Sequence, residues 1–200
     1  MDTFSHALWG WGLFGFRGFP WLALFFGALP DLLSFGMLSI SRFFSGTFTF
    51  GPPKLESIPA WTISLYNCTH SLVIACIVVS IVYVQRKDIG FAMFAWPFHI
   101  LLDIPFHEGG YFPTKMFWPL SDFFIDGVPW HTPWVWIPNL AGLLAFFFYR
   151  WLQRRTIHNK VQLSSRAVRR GKPRDWPHQC NRIRDSVTWC SSLDRFQSPV

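Results

Sequence analysis

Charge is scarce in this chain: 14% of its 200 residues are Asp, Glu, Lys or Arg, while half are hydrophobic. Cysteine is scarce too, with four in all, and they form no disulfide framework. Cys68 and Cys76 lie eight apart in an apolar run, where they are expected to pack as small hydrophobes. Cys180 and Cys190 lie near His178 but lack the paired spacing of a zinc module. Several catalytic signatures are missing: H-E-x-x-H, G-x-S-x-G, a Walker loop and a dinucleotide fingerprint. No internal repeat suggests a transporter. The first residues, Met1-Asp2-Thr3-Phe4-Ser5-His6, lack the positive n-region of a secretory signal and are expected to be mature sequence.

Aromatic and aliphatic residues fill the space that charge leaves. Twelve Trp and twenty-three Phe bring the aromatic share to 20%. A soluble domain of this size cannot bury that much, and Trp favours membrane interfaces. The expected fold is therefore all-α, a multi-pass integral membrane helical bundle. Two short apolar runs, 4–16 and 19–30, suggest an N-terminal helical hairpin, or a second arm that kinks at Pro30 and continues toward Ile40. Turn residues predict a loop over 41–59. Long apolar runs over 60–85, from Ile89 onward and over 134–152 read as spans. Pro, Gly and aromatics make 108–133 an interfacial loop or cap, in which Glu108, Asp122, Asp126 and His131 are expected to be solvated.

The charges present are distributed unevenly. Residues 1–152 carry seven Lys/Arg and eight Asp/Glu, whereas residues 153–200 carry eleven Lys/Arg and three Asp. This divides the chain into a membrane-embedded domain, 1–152, and a basic tail, 153–200, expected to be disordered. Arg86-Lys87 and Arg150/Arg154/Arg155 should both face the cytoplasm, as should Arg17, which makes the C-terminus cytoplasmic. The tail could touch anionic lipid at roughly 1 kcal/mol per well-placed basic residue. No stacking or groove-reading module points to nucleic acid.

Against this apolar background a few ionisable residues stand out. His99, Asp103 and His107 recur every four residues and would share one helical stripe, although Pro105 can bend the helix before His107. Asp2 and His6 repeat the same spacing. At helical rise His70 lies about 24 Å from Arg86, His99 about 18 Å and Asp103 about 24 Å from Lys87, and His6 about 16 Å and Asp31 about 21 Å from Arg17. Four segments thus bring His or Asp to a similar depth in the outer half of a membrane. Polar groups there normally face a protein interior or a watery cavity.

Imidazole and carboxylate are suitable ligands for a divalent metal, zinc above all. Asp2, His6, His70, His99, Asp103 and His107 are the candidate ligands. Asp31 or Asp103, if free of the metal, could be the general base of a hydrolysis. Blander readings stay open: histidines that merely pack, Asp2 and His6 at the membrane surface, Asp31 as a helix cap. So do a non-catalytic protein with a structural His/Asp metal site and a haem held by His70 and His99.

Met1-Asp2-Thr3-Phe4-Ser5-His6-Ala7-Leu8, Leu29-Pro30-Asp31, Thr69-His70-Ser71-Leu72, His99-Ile100-Leu101-Leu102-Asp103 and Phe117-Trp118-Pro119-Leu120-Ser121 follow one another in the order seen in YdjM-like proteins. Over residues 1–150 the chain resembles this family of predicted inner-membrane, metal-dependent hydrolases, some described as LexA-regulated. The resemblance implies a small multi-helix protein of the bacterial inner membrane with a metal site at Asp2, His6, Asp31, His70, His99 and Asp103. It implies no particular substrate; access from the membrane surface suggests an ester or a phosphoester such as a phospholipid. The basic tail has no counterpart in the resemblance.

Overall fold

The computed structural model describes residues 2–51 and 53–169. The expected disorder of the tail beyond Arg169, and the Cys180/Cys190/His178 group, lie outside the described residues. Among those described there is no strand, and the fold is all-helical. The chain divides into two compact units, Met1–Leu140 and Ala141–Val200.

In the first unit, α1 (Thr3–Phe14) starts at Asp2, whose side chain accepts from the Ser5 backbone N–H and caps the first turn. Gly18, at φ 103°, takes the left-handed turn that returns the chain. Next comes α2 (Pro20–Asp31), with Pro at its first position, where a missing N–H costs nothing. A π turn over Leu32–Gly36 joins α2 to α3 (Met37–Phe44). Pro20–Phe44 is thus one apolar stretch of 25 residues, so the second arm is the longer of the two forms expected, and helix replaces loop as far as Phe44.

The 60–85 run is broken, contrary to the single helix expected. It forms α4 (Ala60–Thr69) and α5 (Leu72–Gln85), bent by 53° at His70-Ser71. Ser71 caps α5 by accepting from Ile74 N–H and donates its hydroxyl to Trp118 O, and Leu72 N–H donates to Met116 O. Residues 116–118 thus supply partners that a continuous helix would have found within itself. Then α6 (Lys87–Met93) and α7 (Ala95–Asp103) run almost end to end, and α8 (Pro133–Arg169) is the last helix among the described residues. The helix continues through 153–169, where the sequence suggested disorder.

Among the described residues, three stretches are long and apolar enough to cross a membrane: Pro20–Phe44, Lys87–Phe106 and Pro133–Asn159. The bent α4–α5 pair makes a fourth if counted as one span. Cys76 is exposed, not packed as expected, and Cys68 is half-buried.

Small residues set how closely the helices approach. A Cβ on Gly27 would lie 2.6 Å from His6 O, and one on Gly10 would lie 2.7 Å from Ala23 O. With Ala7 and Ala23 also buried, α1 and α2 meet backbone to backbone. One apolar cluster, Ala75, Val79, Met93, Trp96 and Ile100, joins α5 to α6 and α7. Another, Leu38, Ile58, Tyr66 and Phe112, closes the end where the long loops lie.

Candidate metal centre

Each side chain reaches the centre from a local irregularity or a close contact. Asp31 ends α2 where the π turn begins, and its Oδ2 accepts from the Thr3 hydroxyl at 2.8 Å. His70 stands at the α4–α5 break. Its Nδ1 lies 3.1 Å from Tyr66 O, and the Tyr66 ring stacks on the imidazole with centroids 3.9 Å apart. His99, on α7, places Nδ1 2.7 Å from Gly27 O, which only the bare α2 backbone brings within reach. Asp103 follows one turn later at the end of α7 and is fully buried.

These four converge, and their offered ligand atoms all lie within 4.8 Å of one another. His70 Nε2 is 3.2 Å from His99 Nε2. Asp103 Oδ2 is 3.1 Å from His99 Nε2 and 3.5 Å from His70 Nε2. Asp31 Oδ1 stands slightly farther off, at 3.6 Å from His70 Nε2 and 3.8 Å from His99 Nε2. Ligands at 2.0–2.1 Å from a tetrahedral zinc are about 3.3–3.4 Å apart, so His70, His99 and Asp103, at 3.1–3.5 Å, have the spacing of such ligands, and Asp31 stands slightly outside it.

The chemistry of the donors agrees with their spacing. Each Nδ1 faces a backbone carbonyl, which favours a ring proton there, and the Thr69 hydroxyl also lies 3.2 Å from His70 Nδ1. That leaves lone pairs on both Nε2 atoms in the neutral rings. Two lone pairs and two carboxylates turned toward one point repel unless a cation or protons lie between them. The carbonyls also hold the rings in the orientation ligands need, the usual task of groups behind a metal's own ligands. A buried Asp/His/His/Asp group of this kind could hold a metal ion.

The other predicted site residues lie beside this group or apart from it. His6 is buried and stacks on His99 with centroids 3.7 Å apart; its Nε2 is 2.9 Å from Asp103 Oδ1, the oxygen not facing His70 and His99. His6 thus supports Asp103, and among the described residues its Nδ1 has no hydrogen-bond partner. His107 leaves the helical stripe after the 3-10 turn Ile104–Phe106. Its Nδ1 lies 3.2 Å from Asp103 O and 3.7 Å from Asp103 Oδ1. Burial lowers the pKa of this imidazole, while the Asp103 charge opposes the shift.

Asp2 is outside the group. Both its carboxylate oxygens are engaged by Ser5, through N–H at 2.9 Å and the hydroxyl at 2.6 Å. Asp126 accepts from Gly109 N–H and Asp122 pairs with Lys115, both in the loop. The geometry favours a small ion over a haem: the two Nε2 atoms stand 3.2 Å apart beside two carboxylates, whereas axial ligands meet an iron from opposite faces of a macrocycle.

Sequence reasoning missed the neighbours that orient the ligands. Tyr66 lies one turn before His70, a spacing visible in the sequence. The Gly27 carbonyl had no signal beyond the recurrence of small residues. Comparison with known families, curated proteins and solved structures finds no match.

Proposed function

We propose that the protein is a multi-pass membrane hydrolase with its C-terminus in the cytoplasm, using one divalent metal, zinc by its donor set, to cleave a membrane-presented ester or phosphoester. The observation that carries this reading is the convergence of four acceptor atoms on one point, with both Nδ1 atoms committed to carbonyls. The resemblance to YdjM-like proteins supports the same chemistry, and the three apolar stretches support the membrane setting.

Zinc held by His70, His99 and Asp103 would polarise a phosphoryl or carbonyl oxygen and acidify water. Of the four residues Asp31 is the best suited to be the base. Its Oδ1 is the farthest of the donor atoms from the two Nε2 atoms, and its side chain is 14% exposed where the others are sealed. Thr3 holds Asp31 Oδ2, which leaves Oδ1 to take the proton from the attacking water. Asp103 keeps its charge on the histidine pair, steadied by His6 at the opposite oxygen.

A second reading rests on the same residues. If Asp31 closes in as a fourth protein donor, no position is left for water, and this would make the metal structural. Measurement of zinc content and of hydrolysis on purified protein separates the two. Stoichiometric zinc that is lost in His70→Ala and His99→Ala, together with zinc-dependent cleavage of a phosphoester, supports the enzyme. Stoichiometric zinc with no cleavage of any ester or phosphoester supports the structural site. Full zinc content in both alanine variants refutes a shared centre.

A further inference from the structure

The cluster is closed on most sides. The His6 ring covers His99 and the Tyr66 ring covers His70. Asp103 is fully buried, and the partly exposed His107 lies beside its Oδ1 and backbone oxygen, away from the Oδ2 that meets the histidines. A cavity of about 230 Å³ lined by Leu55, Ile63, Phe112 and Lys115 is bounded by Tyr66, whose ring stacks on His70. The exposed edge of Asp31 remains.

That edge has an apolar rim. The Thr3–Asp31 hydrogen bond brings the first turn of α1 against the end of α2. Phe4, which follows Thr3 in the chain, is 83% exposed, and Leu32 and Leu33, which follow Asp31, are 45% and 39% exposed. Asp31 is also the twelfth of the 25 residues in Pro20–Phe44, about 17 Å from one end and about 20 Å from the other at helical rise. A carboxylate at mid-length of an apolar stretch is costly unless it faces a polar interior or serves a function, and here it borders the centre with 14% of its side chain exposed.

We propose that the centre is entered sideways, through the seam between the first turn of α1 and Asp31–Leu33, and that its substrate is a bilayer amphiphile bearing a phosphate or ester head. The inference rests on the hydrolase reading for the chemistry but concerns the route and the class of molecule. The chains stay in the leaflet against Phe4, Leu32 and Leu33 while the head is drawn inward from the interface, past Asp31, toward the histidine pair. An ordinary protein partner is a poor fit to the seam, because that rim is continuous with the apolar flank of a candidate span. A water-soluble ester would have to cross the same rim without an apolar body to offset it.

The test uses zinc-loaded full-length protein in lipid nanodiscs containing trace phosphatidic acid with a diazirine in its acyl chain. A phosphatidylcholine with the same chain is the control. Photolysis followed by peptide mapping should show phosphatidic acid enriched over the control at Phe4 and Leu32–Leu33. Removal of zinc, or Leu32→Arg with zinc content retained, should abolish that enrichment. Equal labelling by the two lipids over every exposed apolar face overturns the proposal. Hydrolysis of a water-soluble phosphomonoester without seam enrichment overturns lateral entry and leaves the hydrolase standing. Enrichment without cleavage of any ester or phosphoester upholds lateral entry and refutes the hydrolase.

Discussion

Gly27→Ala should loosen the metal centre without touching a single ligand. The added Cβ would lie 2.6 Å from His6 O and 3.2 Å from Ala7 Cα, where ordinary contact begins at 3.4 Å. Both obstructing atoms are backbone, so α1 and α2 must part by about 0.8 Å, the shortfall from 3.4 Å. The Gly27 carbonyl moves with α2, and the 2.7 Å bond from His99 Nδ1 would stretch toward 3.5 Å if the displacement runs along it. That is beyond hydrogen-bond range. Loss of such an orienting partner weakens metal binding about 10–100-fold, and overpacking costs roughly 1–3 kcal/mol of stability. Gly36→Ala is the control, since its nearest neighbour outside the helix backbone is Leu32 Cδ2 at 3.6 Å. Zinc titration against a competing chelator, with thermal melts of apo protein, measures both effects. A folded Gly27→Ala protein with wild-type zinc affinity would refute the link from helix approach to ring orientation.

Other substitutions separate the roles. Asp103→Asn should abolish both zinc binding and hydrolysis, whereas Asp31→Asn should retain zinc and lose turnover, as read by metal analysis and phosphoester assays on the same samples. Asp2→Ala should keep full zinc content and cost about 1 kcal/mol through the lost helix cap, seen as a lower melting temperature. Ser71→Ala should cost a similar amount by uncapping α5 at the bend, with a larger loss wherever Trp118 O is left unpaired in the interior. Zinc at about 100 times its Kd should stabilise the wild-type protein by roughly 2.7 kcal/mol in thermal melts, and His99→Ala should lose that gain.

The helical class was legible because apolar runs of span length admit few alternatives. The convergence of Asp31, His70, His99 and Asp103 was foreshadowed by their agreement in depth, counted from the basic turns at helical rise. The identical spacing of Asp2–His6 and His99–Asp103 was misleading. Spacing locates a residue on a face, but Ser5 offers Asp2 a nearer partner, and an Asp three residues before Ser also reads as a cap. The break at His70 was hidden because the run over 60–85 contains neither Pro nor Gly to mark it. It depends on Met116 and Trp118 carbonyls that arrive from a distant loop, and backbone acceptors leave no mark in composition. Helix beyond residue 152 was likewise invisible to a reading of apolar periodicity, since basic residues can extend a helix that an apolar segment has begun.

The wide turn at Leu32–Gly36 also sets the phase of everything after it. A π turn holds one residue more than a regular helix would, which rotates the following segment by about 100°. In this register Leu38 enters the cluster with Ile58, Tyr66 and Phe112, and Tyr66 in turn supports His70. Deleting one residue from the turn would give a smoother rod yet swing Leu38 out of its socket. Regularity at that point would come at the expense of the wall behind an imidazole two helices away.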